Sequence, residues 1–197
     1  MSKPIIVAIC GPAASGKDTL AKELFTYMKM ENIPAHLLIS DTTRPMRSKE
    51  ENGIDYFFRD EKEFIHKYYN GDYVEFTSYR NWFYGTDKSN ISNSAINIGV
   101  FNLEGILALR IPRKYTIIPI YLDVPFWTRM KRYRDRAGKI TFEQIRRAIA
   151  DSVDFANIDL YLENLFRYRY LVLKGSNILE NCQKITQHLV SIKDENY

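Results

Sequence analysis

A short apolar run, Ile5–Ile9, leads into Gly11, four further residues, Gly16 and Lys17. A segment with Leu20, Leu24, Tyr27 and Met28 at helical spacing follows. The pattern reads as a buried strand, a phosphate-cradling loop and a helix. Gly11 and Gly16 let the backbone fold tightly, so that successive N–H groups point at phosphate oxygens, and the helix N-terminus adds positive potential. Lys17 is then the mobile cation for the outer phosphates of a triphosphate. The residue after the lysine, Asp18, departs from the Ser or Thr of the loop pattern, whose hydroxyl would bind magnesium.

Further strands are expected at Ile96–Asn102, Tyr115–Leu122 and Tyr168–Leu173. A long amphipathic helix is expected over 141–164, with Phe142, Ile145, Ile149, Val153 and Leu160 on one face and a capping box of Thr141 and Gln144 at its start. Ile178, Cys182, Ile185, Leu189 and Ile192 mark another helix. Strands alternating with helices imply an α/β fold, a parallel sheet covered on both faces. Residues 35–93 break the alternation and read as an inserted lobe. At 197 residues the chain suits one domain that needs no disulfide or metal to hold it together. Cys10 and Cys182 are expected to be small core residues. With no apolar run of membrane length, no membrane partner is expected and the location is expected to be cytoplasmic. A net charge of +4 suits an anionic ligand without pointing to nucleic acid.

The middle of the chain carries Arg44 and Arg47 in the loop SDTTRPMR, two guanidiniums suited to a phosphate dianion. Downstream come GIDYFF from Gly53, GDYVEF from Gly71 and WFYGT from Trp82. With these segments, in this order and spacing, the chain resembles the guanylate kinases from about residue 4 to 175. The resemblance implies a P-loop three-layer fold with a core (1–34, 94–127 and 165–197), a nucleoside-monophosphate lobe (35–93) and a basic lid (128–147). It implies transfer of the γ-phosphoryl group of ATP, with Mg²⁺, to GMP or dGMP. Gly11, Pro12, Ala13, Ala14, Ser15, Gly16, Lys17, Asp18 and Thr19 would form the ATP loop. Arg44, Arg47, Tyr56 and Tyr84 would hold the acceptor phosphate, while Ser40, Glu75, Thr86 and Asn102 would face the base. A carboxylate at Glu75 can accept from both N1–H and the 2-amino group of guanine, whereas adenine would present a lone pair.

The basic stretch from Arg129 to Arg136, followed by Arg146 and Arg147, matches the lid. Arg132, Arg136 and Arg147 occupy the family's arginine positions, Arg136 and Arg147 are the favoured catalytic pair, and Arg129 and Arg134 are expected to be solvated. Val100 and Asn102 stand where the family has acidic residues, and Lys174 where its adenine pocket has Asn. A carboxylate relocated to Asp18 would account for a magnesium ligand lost at Val100. Kinases of ribose 1,5-bisphosphate share the Gly-Lys-Asp loop and an Asn near 102, but Arg47 and Glu75 favour a nucleotide acceptor. A kinase of broader (deoxy)nucleotide specificity is a further alternative. The intact loop argues against a non-catalytic protein-binding module.

Overall fold

The computed structural model describes residues 3–79, 81–175 and 177–194, without the side chains of residues 136, 137, 193 and 194. A parallel core sheet is built in the order β2 (Ala35–Leu37), β7 (Ile96–Val100), β1 (Ile5–Cys10), β8 (Thr116–Leu122) and β9 (Leu171–Leu173). Its central strand shows why the run Ile5–Ile9 had to be apolar on both sides. Val7 and Ile9 join a cluster on one face, under α1 (Lys17–Met30) and α7 (Ile178–Asp194), while Ile6, Ala8 and Cys10 join a second on the opposite face, with α3 (Leu103–Arg110) and α6 (Ile158–Phe166). Each of these five strand residues is fully buried, so a polar substitution on either face would lose transfer free energy. Cys10 and Cys182 are buried free thiols, and burial pushes that of Cys10 up to about 12. Among the described residues no helix is long and apolar enough to cross a membrane.

A second, mixed sheet has the order β4 (Phe57–Phe58), β3 (Asp41–Thr42), β6 (Trp82–Asp87) and β5 (Tyr73–Tyr79). Helix α2 (Glu61–Tyr69), capped by Asp60, packs Phe64 onto Tyr73 and Phe83. The inserted lobe therefore begins later than residue 35, because Ala35–Leu37 pair with β7 and complete the core sheet.

Two expectations fail in the last third of the chain. The single helix over 141–164 is two, α5 (Phe142–Asp154) and α6, interrupted at Phe155–Asn157. The capping box of Thr141 and Gln144 is present at the start of α5. The apolar stripe Phe142, Ile145, Ile149, Val153 and Leu160 is exposed. The face that docks instead centres on Ala148, which joins Ala13, Met130 and Tyr133 in a small cluster with α4 (Phe126–Ala137). Helical periodicity predicts the helix here, but the inward face carries Arg129's partners and the loop contacts described below. The strand expected at Tyr168–Leu173 is shortened to β9 by a 3₁₀ turn over Arg167–Arg169.

Candidate active site

The turn from β1 to α1 wraps around a cradle of amides. Gly11 has φ 147° and Gly16 φ 97°, and a Cβ at Gly11 would meet the Leu122 carbonyl oxygen at 2.8 Å. Both positions therefore require glycine. Gly16 caps α1 with no side-chain hydrogen bond, which leaves the helix's first N–H groups to an external anion. Ser15 Oγ is buried with no hydrogen-bond partner, a second donor available inside the loop. Lys17 Nζ folds back to donate to the carbonyls of Gly11 at 2.8 Å and Pro12 at 3.0 Å. Burial lowers its pKa, and the Asp18 carboxylate acts in the opposite sense. Asp18 and Thr19 are exposed in the first turn.

A cleft of about 250 Å³ opens beside the loop, between Ala14, Gly16, Leu122, Arg132, Gly175 and Asn181. Arg132 crosses to the loop and donates to the carbonyls of Ala14 at 3.1 Å and Ser15 at 2.5 Å.

In the lobe, Arg44 and Arg47 meet on one carboxylate. Arg44 Nη2 donates to Glu50 Oε1 at 2.8 Å and Oε2 at 3.0 Å, and the backbone N–H of Arg47 donates to Glu50 Oε2 at 2.8 Å. The Arg47 guanidinium is 3.4 Å from Oε1 and largely exposed. Arg44 also lies over the rings of Tyr56 and Phe58, at 5.5 and 5.6 Å from their centroids. Tyr56 and Tyr84 touch edge to face, with centroids 6.0 Å apart. The four expected phosphate ligands thus form one cluster, ordered by Glu50, which was not anticipated from the sequence. Its position three residues after Arg47 was the available signal, since an acid at that distance can close a turn and an ion pair together.

The base-facing residues also gather. Thr86 Oγ1 donates to Glu75 Oε1 at 2.8 Å, and Ser40 Oγ lies 3.4 Å from Thr86 Oγ1. Asn102 caps α3, its Oδ1 accepting from the Gly105 N–H at 2.8 Å. A Cβ on Gly105 would sit 3.1 Å from both Asn102 Oδ1 and Glu75 Oε2, so glycine keeps that corner open. Burial pushes the Glu75 carboxyl up to about 7.

The basic helix divides differently from expectation. Arg129 is not solvated but 3% exposed, donating from Nε to the Val124 carbonyl at 3.2 Å and from Nη2 to Ser152 Oγ at 2.9 Å. The reason is periodic: Arg129, Met130 and Tyr133 share the inward face of α4, whereas Arg134 is exposed and pairs with Asp135. Arg147 lies 5.4 Å from the centroid of Tyr79, with Nε buried and unpartnered, near enough to Lys17 to depress its pKa. The Arg136 side chain lies outside the described residues. Asp151 of α5 was also missed; its carboxylate accepts from the Ala13 N–H at 2.6 Å. No local sequence pattern announces that contact, because it exists only once α5 docks on the loop.

Comparison with known proteins agrees with this arrangement. The sequence matches the guanylate kinase family model over residues 1–190. It is 33% identical over 191 residues to the guanylate kinase of Thermotoga maritima, covering 95% of this chain and 84% of that protein. Identity to the guanylate kinase of Mycoplasma genitalium is 32% over 160 residues, covering 78% of this chain and 65% of that protein, just under two thirds of its length. The fold matches the crystal structure of guanylate kinase from Anaplasma phagocytophilum with a TM-score of 0.69, over 96% of this chain and 86% of that one, at 21% identity. A glycine-framed loop and a paired-arginine lobe, within a sequence match that runs almost end to end, mean that this chain belongs to the guanylate kinase family of ATP-dependent phosphotransferases.

Proposed function

We propose that this chain transfers the γ-phosphoryl group of ATP to GMP or dGMP, with the donor on the Gly11–Lys17 loop and the acceptor in the lobe. The observation that carries this reading is the way the two halves face each other. Tyr56 of the acceptor cluster is close enough to Asp18, in the first turn of α1, for that carboxylate to add to burial in raising the pKa of the phenol. Lys22 of α1 bonds Asp55, the neighbour of Tyr56, at 2.8 Å and so ties the helix that follows the loop to the lobe. Loop amides and Lys17 orient the triphosphate. Arg44, Arg47, Tyr56 and Tyr84 present the acceptor phosphate, whose ionised oxygens need positioning rather than a general base. Arg147, with Arg132 and Arg136 on the neighbouring helix, forms the basic lid that steadies charge on the migrating group.

Glu75, with Thr86 and Ser40 beside it, reads guanine through its two adjacent donors, a chemistry for which a sugar acceptor has no use. The cleft lined by Arg132 and Asn181 receives the donor's base. Among the described residues no three His, Cys, Asp or Glu side chains gather as a metal site. Magnesium would therefore be carried chiefly by the triphosphate and water, with the exposed Asp18 carboxylate as the protein oxygen at hand, and it would supply charge neutralisation.

A coupled assay across GMP, dGMP, AMP, UMP, dTMP and ribose 1,5-bisphosphate tests the proposal. Turnover confined to the guanine nucleotides is expected. Turnover with the sugar bisphosphate alone would overturn it.

A further inference from the structure

We propose that Asp151 is a built-in occupant of the phosphate loop, a carboxylate that the terminal phosphate of the donor displaces, and that this exchange sets donor affinity. The inference rests on the reading that the loop holds a triphosphate. Asp151 Oδ2 accepts from the Ala13 N–H at 2.6 Å, although the two residues are 138 apart in the chain. An amide of an anion cradle is thus satisfied by an internal anion. Lys17, the other group that would meet the phosphate, is meanwhile turned onto the loop's own carbonyls.

A second partner for the carboxylate already waits. Arg129 Nη1 is 3.9 Å from the same Oδ2 and is buried without a hydrogen bond. The guanidinium cannot move to meet it, being fixed through the Val124 carbonyl and Ser152 Oγ. The carboxylate can move, since a side-chain rotation changes its partner from Ala13 to Arg129. Two arrangements follow: Asp151 on the loop amide when the donor is absent, and Asp151 on Arg129 when a phosphate oxygen claims that amide. Lys17 is a further cation close enough to feel this carboxylate, which raises the pKa of the lysine against the effect of burial. Because Asp151 belongs to α5, occupancy of the loop is reported to the lid helices by a single hydrogen bond. Asp151 is in this sense a positioning residue, acting through the loop and through Arg129.

Removal of the internal anion takes away both the bond that phosphate must replace and the repulsion it meets. Calorimetric titration of wild type, Asp151→Asn and Asp151→Ala with inorganic tripolyphosphate, and separately with ATP, measures the effect. Asp151→Ala should bind tripolyphosphate more tightly by on the order of tenfold, with Asp151→Asn intermediate because its amide oxygen still accepts from Ala13. KM for ATP should fall in step while KM for GMP stays constant, a split that a loss of general stability would not produce. Unchanged or weaker tripolyphosphate binding in both variants would overturn the proposal. Should the alanine variant fail to fold, the isosteric asparagine variant carries the same test. Failure of the wild type itself to bind ATP or tripolyphosphate would instead overturn the donor-site reading.

Discussion

The Thr86 hydroxyl on β6 donates to Oε1 of Glu75, the residue it faces across the ladder on β5, at 2.8 Å in a buried setting. That bond favours the ionised carboxylate, yet burial outweighs it and raises the pKa from 4.5 to about 7. The folded state therefore binds this proton more tightly than the unfolded chain does. The stability contributed by protonated Glu75 is complete below pH 4.5 and is lost as pH rises through 7. Across that window, wild type should lose roughly 3 kcal/mol relative to Glu75→Gln. Urea unfolding of the ligand-free proteins at a series of pH values measures the difference, and a constant gap would mean that Glu75 is solvated.

Guanine should reverse the shift. Its two donors need a carboxylate that only accepts, so GMP binding should expel the proton that Glu75 holds below pH 7. Calorimetry at about pH 6.5 in buffers of different ionisation enthalpy should show net proton release by wild type and markedly less by Glu75→Gln. Equal release would separate Glu75 from the base.

Lys17→Ala should reduce turnover by about a thousandfold, the scale of losing a preorganised charge at a migrating phosphoryl group. GMP binding should be retained, because Lys17 donates its hydrogen bonds among the described residues to Gly11 and Pro12 of the donor loop and to none of the acceptor cluster. Single-turnover kinetics alongside GMP titration checks both halves of the expectation.

The central architecture was legible because its signals are local. Ile5–Ile9 alternates between two buried faces, and the glycines at 11 and 16 have backbone angles that other residues resist. Recognition of the acceptor residues depended on several short segments in a fixed order, and those residues do converge. What local pattern could not supply was the docking of α5. Its apolar stripe is exposed, because the opposite side carries Ala148 and Asp151 onto the loop. Arg129 escaped for the same reason: a charge in a basic run reads as solvated until its helix acquires a neighbour with acceptors at the right height.

Glu50→Gln should loosen the acceptor site without touching the donor site. Glu50 bridges Arg44 and the Arg47 backbone, and its own pKa is lowered, against burial, by hydrogen bonds from both. A neutral amide keeps the shape but loses the charge that holds two guanidinium-bearing segments together. KM for GMP should rise by roughly tenfold, with KM for ATP within about twofold of wild type. Initial-rate kinetics with each substrate varied in turn separates the two. An unchanged KM for GMP would show that the acceptor phosphate itself suffices to order both arginines.

Asp41→Ala should weaken the lobe's fold rather than the chemistry. The Asp41 side chain is 1% exposed, and its Oδ2 accepts from Arg59 at 3.2 Å, from Tyr73 at 2.9 Å and from Lys67 at 2.9 Å. Removal of the carboxylate strands the Tyr73 hydroxyl and leaves two cations facing each other. Each cation keeps a second acid, Glu63 for Arg59 and Asp87 for Lys67, both at 2.6 Å. The loss should therefore fall short of that for a fully orphaned charge, at roughly 3 kcal/mol, or about 9 °C in Tm for a chain of this size. Donor affinity should be preserved, because the Gly11–Lys17 loop rests on the core sheet and Asp41 belongs to the other. Thermal unfolding with ATP titration tests the division. A Tm within about 2 °C of wild type would mean that Arg59, Lys67 and Tyr73 are held by their outer partners and that Asp41 is dispensable.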